Sequence, residues 1–213
     1  SQVERTRTRP LASGEIQLWQ AIIFLIVLLI LGFGILLCFN NTAIFIGAAS
    51  LALVFTYPLM KRITWWPQLF LGFTFNWGAL MGMAAVTGNF PTTALPLYIA
   101  GIFWTLGYDT IYAHQDIRDD ETIGIKSTAR LFGEKSKRWI ASFYAIAIAF
   151  LMLAGAVSGL GHGFYAFLMI AAAFAAIQVL AWDINNPTDC LVRFRANRDF
   201  GLIVLVGIML GKV

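Results

Sequence analysis

Four carboxylates crowd a short polar tract: Asp116, Asp119, Asp120 and Glu121. Like charges three and four residues apart repel, so stacking Asp116, Asp119 and Asp120 makes sense only if a cation neutralises them. An all-oxygen donor set suits a hard ion, Mg²⁺ before Ca²⁺, and Mg²⁺ commonly bridges one or two carboxylates to a substrate's phosphates. Asp109 lies seven residues upstream, just inside an apolar stretch. An ionisable side chain at that depth is costly and reads as functional by default. If the helix runs on unbroken, Asp109, Tyr112, Asp116 and Asp120 fall at i, i+3, i+7 and i+11, one stripe.

Cations gather beside these acids. Lys61 and Arg62 follow Tyr57-Pro58, Lys126 and Ser127 follow Gly124, and Arg5, Arg7 and Arg9 precede the first apolar stretch. A metal-bearing carboxylate cluster opposite Lys and Arg is what a diphosphate needs. A lipid-tailed diphosphate fits such a place, with its head at a polar mouth and its tail among apolar helices. Loss of the diphosphate would leave an allylic cation, which aromatic faces stabilise. Tyr57, Trp77, Tyr108 and Tyr112 are the candidates, and Asn76, polar near mid-span, should face the bundle interior rather than lipid.

The elements that must hold these residues are transmembrane helices. The chain has 213 residues, 59% hydrophobic and only 12% charged, with a mean hydropathy of +0.76. Soluble domains carry about a quarter charged residues. Apolar runs bounded by polar clusters predict spans at about 18–39, 42–60, 69–87, 95–113, 139–158, 163–182 and 200–213. They must be helices, because open strands leave backbone groups unpaired in hydrocarbon. The fold class expected is therefore an all-α, multi-span bundle of about seven helices in a single transmembrane domain over 1–213. The start is polar and basic and resembles no signal peptide, and Cys38 and Cys190 fall at opposite faces, too far apart to bridge.

Charge follows loop parity. The segments 1–17, 61–68, 114–138 and 183–199 hold 14 of the 15 Lys and Arg residues and ten of the eleven acids. The connections at 40–41, 88–94 and 159–162 hold none, and Lys212 alone dissents. The positive-inside rule makes the charged face cytoplasmic, or the matrix face of a mitochondrion. Orientation accounts for the bases but not for the acids. Nothing in this distribution points to nucleic acid; the partner it implies is the lipid bilayer. A transporter or channel, the non-enzymatic alternative, would carry its polar residues through to the far face, and this sequence does not.

Tyr108-Asp109-Thr110-x-Tyr112-Ala113-x-Gln115-Asp116-x2-Asp119-Asp120-x3-Gly124-x-Lys126-Ser127 resembles the second aspartate-rich motif of the UbiA superfamily of intramembrane prenyltransferases, in the wording of its 4-hydroxybenzoate branch. Tyr57-x3-Lys61-Arg62 is similar to that family's Tyr-x3-Lys element. The tract Arg5 to Gly14 looks like the loop after its first aspartate motif, and Phe194-x2-Asn197-x3-Gly201 like the entry to its last helix. The resemblance implies nine helices around a cavity and Mg²⁺ bridging two aspartate motifs to a polyprenyl diphosphate. It also implies prenylation of 4-hydroxybenzoate ortho to its hydroxyl, for ubiquinone synthesis, at a cell inner membrane or a mitochondrial one. Other acceptors of the family, homogentisate, dihydroxynaphthoate or haem precursors, are the alternatives. By matching positions, Asp116 and Asp120 would bind metal with Asp119 beside them and Asp109 completing the catalytic set. Lys61, Arg62 and Lys126 would hold diphosphate, with Tyr57, Tyr112 and Asn76 on the substrate side. The first motif should stand just before Gln2, so this chain is expected to be an N-terminally truncated piece with impaired activity.

Overall fold

The structure, a computed structural model, describes residues 9–212, with the side chains of Arg118 and Asp119 outside that description. Every regular element among the described residues is helical. A short α1 (Pro10–Ser13) leads into α2 (Leu18–Leu36) and α3 (Asn41–Ile63). Then come α4 (Pro67–Phe75), α5 (Trp77–Thr87) and α6 (Leu95–Ala113). At the charged face lie α7 (Ile117–Ile123) and α8 (Thr128–Phe132), followed by α9 (Ser136–Val157), α10 (His162–Ala181) and α11 (Pro187–Leu210).

Local chemistry sets the ends. Asn40 accepts a hydrogen bond from the Ala43 amide and starts α3; Asn186 does the same for α11 through the Thr188 and Asp189 amides. Pro67 and Pro187 occupy first-turn positions, where a missing N–H costs nothing. Five stretches are long and apolar enough to cross a membrane: Leu18–Leu36, Asn41–Ile63, Pro67–Thr87, Thr128–Val157 and His162–Ala181. The other two expected spans, α6 and α11, are 19 and 24 residues long. Asp109 dilutes the apolarity of α6, and the charges from Asp189 to Asp199 dilute that of α11.

Three expectations need correction. The last helix is not a short span at 200–213 but begins at Pro187, so a polar half-helix precedes its apolar part. The third span, expected as one helix at 69–87, breaks at Asn76 into α4 and α5. The third difference concerns the acids. The helix does not run unbroken from Asp109 to Asp120: α6 ends at Ala113, a 3₁₀ turn covers His114–Asp116, and α7 starts at Ile117. A 3₁₀ residue advances 120° against 100° in an α-helix, so three of them swing Asp116 and Asp120 by about 60° off the line of Asp109 and Tyr112.

The core has two parts, and α6 contributes to both. Ala100 and Ile111 pack with α9, α10 and α11, while Tyr98, Ile102 and Leu106 pack with α3, α5 and α9. Close approach depends on missing side chains. A Cβ on Gly107 would strike the Tyr144 ring of α9, and one on Gly72 would press the Ile102 backbone at 3.0 Å. Small residues at such crossings let helices in lipid gain van der Waals contact where no hydrophobic drive exists. At the uncharged face the Asn40 amide donates to the carbonyls of Ala84 and Ala85, and the Gly161 amide to that of Gly211. Chain reversals there are held by hydrogen bonds rather than charge.

Candidate functional site

At the charged face, α3 ends in Lys61 and Arg62, both exposed, with Tyr57 half-buried one turn earlier. The chain after α7 returns to this helix end. Gly124 takes a positive φ of 77°, which closes α7 with the Ile125 amide donating to the Asp120 carbonyl at 2.9 Å. The next amide, Lys126, donates to the Lys61 carbonyl at 3.0 Å, and its ammonium to the Ile63 carbonyl at 3.1 Å. The two lysines thus leave the backbone at hydrogen-bonded residues. That ammonium and the Arg130 guanidinium both lie over the Trp65 ring, at 6.0 and 5.4 Å.

Arg130 also folds the acidic segment itself. Its guanidinium donates to the Ile125 carbonyl and, at 3.4 Å, to the Asp120 carbonyl. The same stretch is pinned from the membrane side. Ser127 caps α8 through the Arg130 amide, the Thr128 amide donates to Gln68 Oε1 at 3.1 Å, and the Thr128 and Thr110 hydroxyls lie 2.7 Å apart. Gln68, Thr110, Ser127 and Thr128 are all buried, so each polar group is satisfied by protein.

Asp109, half-buried on α6, lies within electrostatic reach of Lys61 and Tyr57. Asp109 is thus within electrostatic reach of Tyr57 and Lys61 near the charged end of α3, and Lys126 is hydrogen-bonded to that same helix end; Asp116 closes the 3₁₀ turn after α6 and Asp120 lies in α7. Asp120 is buried and Asp116 half-buried. Asp119, Arg5 and Arg7 belong to the sequence-derived set, but the Asp119 side chain and both arginines lie outside the described residues.

The other substrate candidates sit lower. Tyr112 packs at 4.3 Å between ring centres on Phe194 of α11, and Tyr108 touches the same ring at 5.7 Å. Trp104 continues the column to Phe200 at 5.2 Å. Asn197, buried, receives the Trp104 indole N–H at 2.8 Å and the Tyr144 hydroxyl at 3.2 Å, and donates to the Arg193 carbonyl. A cavity of about 730 Å³ opens along Trp104, Tyr108, Phe194 and Arg198. It shares Trp104 with one of about 290 Å³ beside Asn76 and Gly201. That second cavity shares Leu97 and Leu151 with a third of about 1060 Å³ near the uncharged face. Asn76 does face inward, but its amide is used structurally, donating to the Gly72 carbonyl and the Thr105 hydroxyl at 2.9 Å each.

Among the described residues no group of three or more His, Cys, Asp or Glu side chains converges as a ready metal cage. Asp116 and Asp120, four residues apart, offer two hard oxygen ligands. That is the complement with which Mg²⁺ is held when phosphates complete its shell. The donor chemistry fits a metal that arrives with its substrate.

Sequence reasoning gave no role to Arg130, His114 or Gln68, and named Phe194 only within the Phe194-x2-Asn197-x3-Gly201 resemblance. For Gln68 and His114 the reason is burial: both look like loop residues until the helices around them are in place. His114 is 5% exposed, and burial lowers its pKa to about 4, so the imidazole is neutral at physiological pH.

Residues 1–202 match the UbiA prenyltransferase family. The chain is 52% identical over 212 residues to the mitochondrial 4-hydroxybenzoate polyprenyltransferase of Bos taurus and 51% to that of Homo sapiens, covering 99% of this chain and 57% of each relative. The Arabidopsis thaliana protein of that name is 49% identical over all of this chain and 52% of its own length. The chain thus spans a little over half the length of these curated relatives. Among solved structures, the apo UbiA homolog from Aeropyrum pernix K1 superposes with a TM-score of 0.82 at 24% identity, over 99% of this chain and 78% of that one. A structure of digeranylgeranylglyceryl phosphate synthase does so with 0.71 at 20% identity, over 98% and 76%. With a family match over nearly its whole length and a shared helical fold, this chain belongs to the UbiA prenyltransferase family.

Proposed function

We propose that the protein is an Mg²⁺-dependent polyprenyltransferase that moves a polyprenyl group from its diphosphate to the ring of 4-hydroxybenzoate in ubiquinone synthesis. The observation that carries this reading is identity of about half, over the whole chain, to proteins named for that reaction. The site chemistry supports it. Breaking the allylic C–O bond releases diphosphate, a C–C bond forms ortho to the phenol hydroxyl, and the ring carbon loses its proton. Lys61 and Lys126, tied at the backbone, present two ammonium groups to the diphosphate, with Arg62 adjoining. Asp109 steadies the Lys61 ammonium. Asp116 and Asp120, with Asp119 beside them, would hold Mg²⁺, which when bound neutralises charge on the departing diphosphate. The rings of Tyr108 and Tyr112, each in contact with that of Phe194, would supply the aromatic faces that stabilise an allylic cation. The neighbouring cavities along α6 and α11 would offer the isoprenoid tail an apolar course. The protein is then a multi-pass inner-membrane protein with the charged face towards cytoplasm or matrix.

The test is prenyl transfer to radiolabelled 4-hydroxybenzoate by membranes containing the protein at the length of its relatives. Chelation should abolish transfer and added Mg²⁺ restore it. Asp116→Ala and Asp120→Ala should each lower kcat/KM by about 10² or more. Unchanged turnover in both variants would sink the metal assignment, and transfer only to homogentisate would sink the acceptor.

A further inference from the structure

Leading into the α7 acids is a 3₁₀ turn closed by Asp116, a conformation with poorer hydrogen-bond geometry than the α-helix and used in short pieces. Something must hold it, because α6 could otherwise continue helically through Ala113 and return Asp116 to the Asp109 line. The turn's first side chain supplies the hold. His114 reaches Ser136, the first residue of α9, with imidazole Nε2 and hydroxyl Oγ 3.0 Å apart. The ring lies edge-on to Trp182 at the end of α10, 5.1 Å between centres and 74° between planes. Trp182 in turn donates its indole N–H to Cys190 Sγ of α11 at 3.3 Å. Ser136, Trp182 and Cys190 are almost wholly buried. The string Ser136–His114–Trp182–Cys190 thus ties the turn to three helices, using no residue of the proposed substrate site.

We propose that His114 and Ser136 are positioning residues, whose buried hydrogen bond fixes the 3₁₀ turn and so sets the direction in which Asp116 and Asp120 together face a shared ligand. Imidazole suits the task, setting a ring nitrogen against the Ser136 hydroxyl and a flat edge against Trp182. An aliphatic residue would fill the space but leave the Ser136 hydroxyl unpaired and the turn held by packing alone. The inference rests on the metal reading of Asp116 and Asp120 given above.

The experiment measures Mn²⁺ binding by electron paramagnetic resonance on the full-length protein in detergent, with an unreactive prenyl thiodiphosphate present. Thermal melting runs alongside. His114→Phe, which keeps the ring against Trp182, and Ser136→Ala should each weaken Mn²⁺ binding about tenfold, the scale of outer-shell losses at metal sites. His114→Gln, which can still bond Ser136, should restore affinity to within about threefold of the parent. A merely structural role would lower the melting temperature while leaving the folded fraction's Mn²⁺ affinity unchanged, and that result in both variants overturns the proposal. Should His114→Phe fail to fold, Ser136→Ala decides alone. Asp116→Asn is the reference: it should lose Mn²⁺ binding. If it does not, the metal reading itself is wrong; if it does while the pair's variants bind normally, only the positioning role is wrong.

Discussion

α2 and α6 are each 19 residues long, and they could hardly be used more differently. α2 is apolar on every side, has no buried residue and makes little contact beyond α3. α6 buries eight of its residues, contributes to both cores and carries Thr105, Tyr108, Asp109 and Thr110. In lipid an apolar side chain gains almost nothing by moving from acyl chains to another helix, so hydrophobicity puts a helix in the membrane without saying where. Glycines, hydroxyls and amides say where. α6 is central because Gly101 and Gly107 admit Asn76 and Tyr144, and because Thr105, Thr110 and Trp104 find partners on three other helices.

The contrast can be broken at its strongest point first. Gly107→Leu drives a side chain into the buried Tyr144 ring and should destabilise the bundle by about 3 kcal/mol or more, read as a fall in the fraction folded in an SDS titration. Next, Asn197→Leu removes the acceptor that the Trp104 indole and the Tyr144 hydroxyl share. The expected loss is on the order of 2 kcal/mol by the same titration, with Asn197→Asp recovering part of it through the retained acceptor. Smallest of all, Leu25→Ala and Leu29→Ala on α2 should change the stability of this chain by less than about 0.5 kcal/mol. A loss of 2 kcal/mol or more from either would mean that α2 packs on the bundle and would end the comparison.

Much of this was legible beforehand where the physics is one-dimensional. Transfer free energy is summed along the chain, so the apolar runs, their helical state and the one-sided loops could be read directly. The acidic motif was legible for a related reason: repelling carboxylates at short spacing demand a partner whatever the fold. The limit appears at His114. Nothing in its neighbours forbids α6 from continuing, and the 3₁₀ turn exists because Ser136 and Trp182, 22 and 68 residues on, receive the ring. Arg130 escaped notice similarly, since its partners are carbonyls of Asp120 and Ile125, and a carbonyl has no letter in a sequence. Asn76 shows a subtler case. Its inward direction followed from the cost of a polar group in lipid, whereas its bonds to Gly72 and Thr105 depend on how α4 crosses α6.

By itself, then, the sequence determined that the chain lives in a bilayer, which face holds its charge, and that Asp116, Asp119 and Asp120 crowd like charges at short spacing. Those results depend on solvation and on repulsion between near neighbours, both set by composition and spacing. Only the tertiary structure decided that Lys126 is sewn to Lys61, that the acids turn about 60° away from Asp109, and that a buried histidine holds them there. Each of these depends on a hydrogen bond between residues far apart in the chain, and such bonds exist only once the helices have chosen their neighbours.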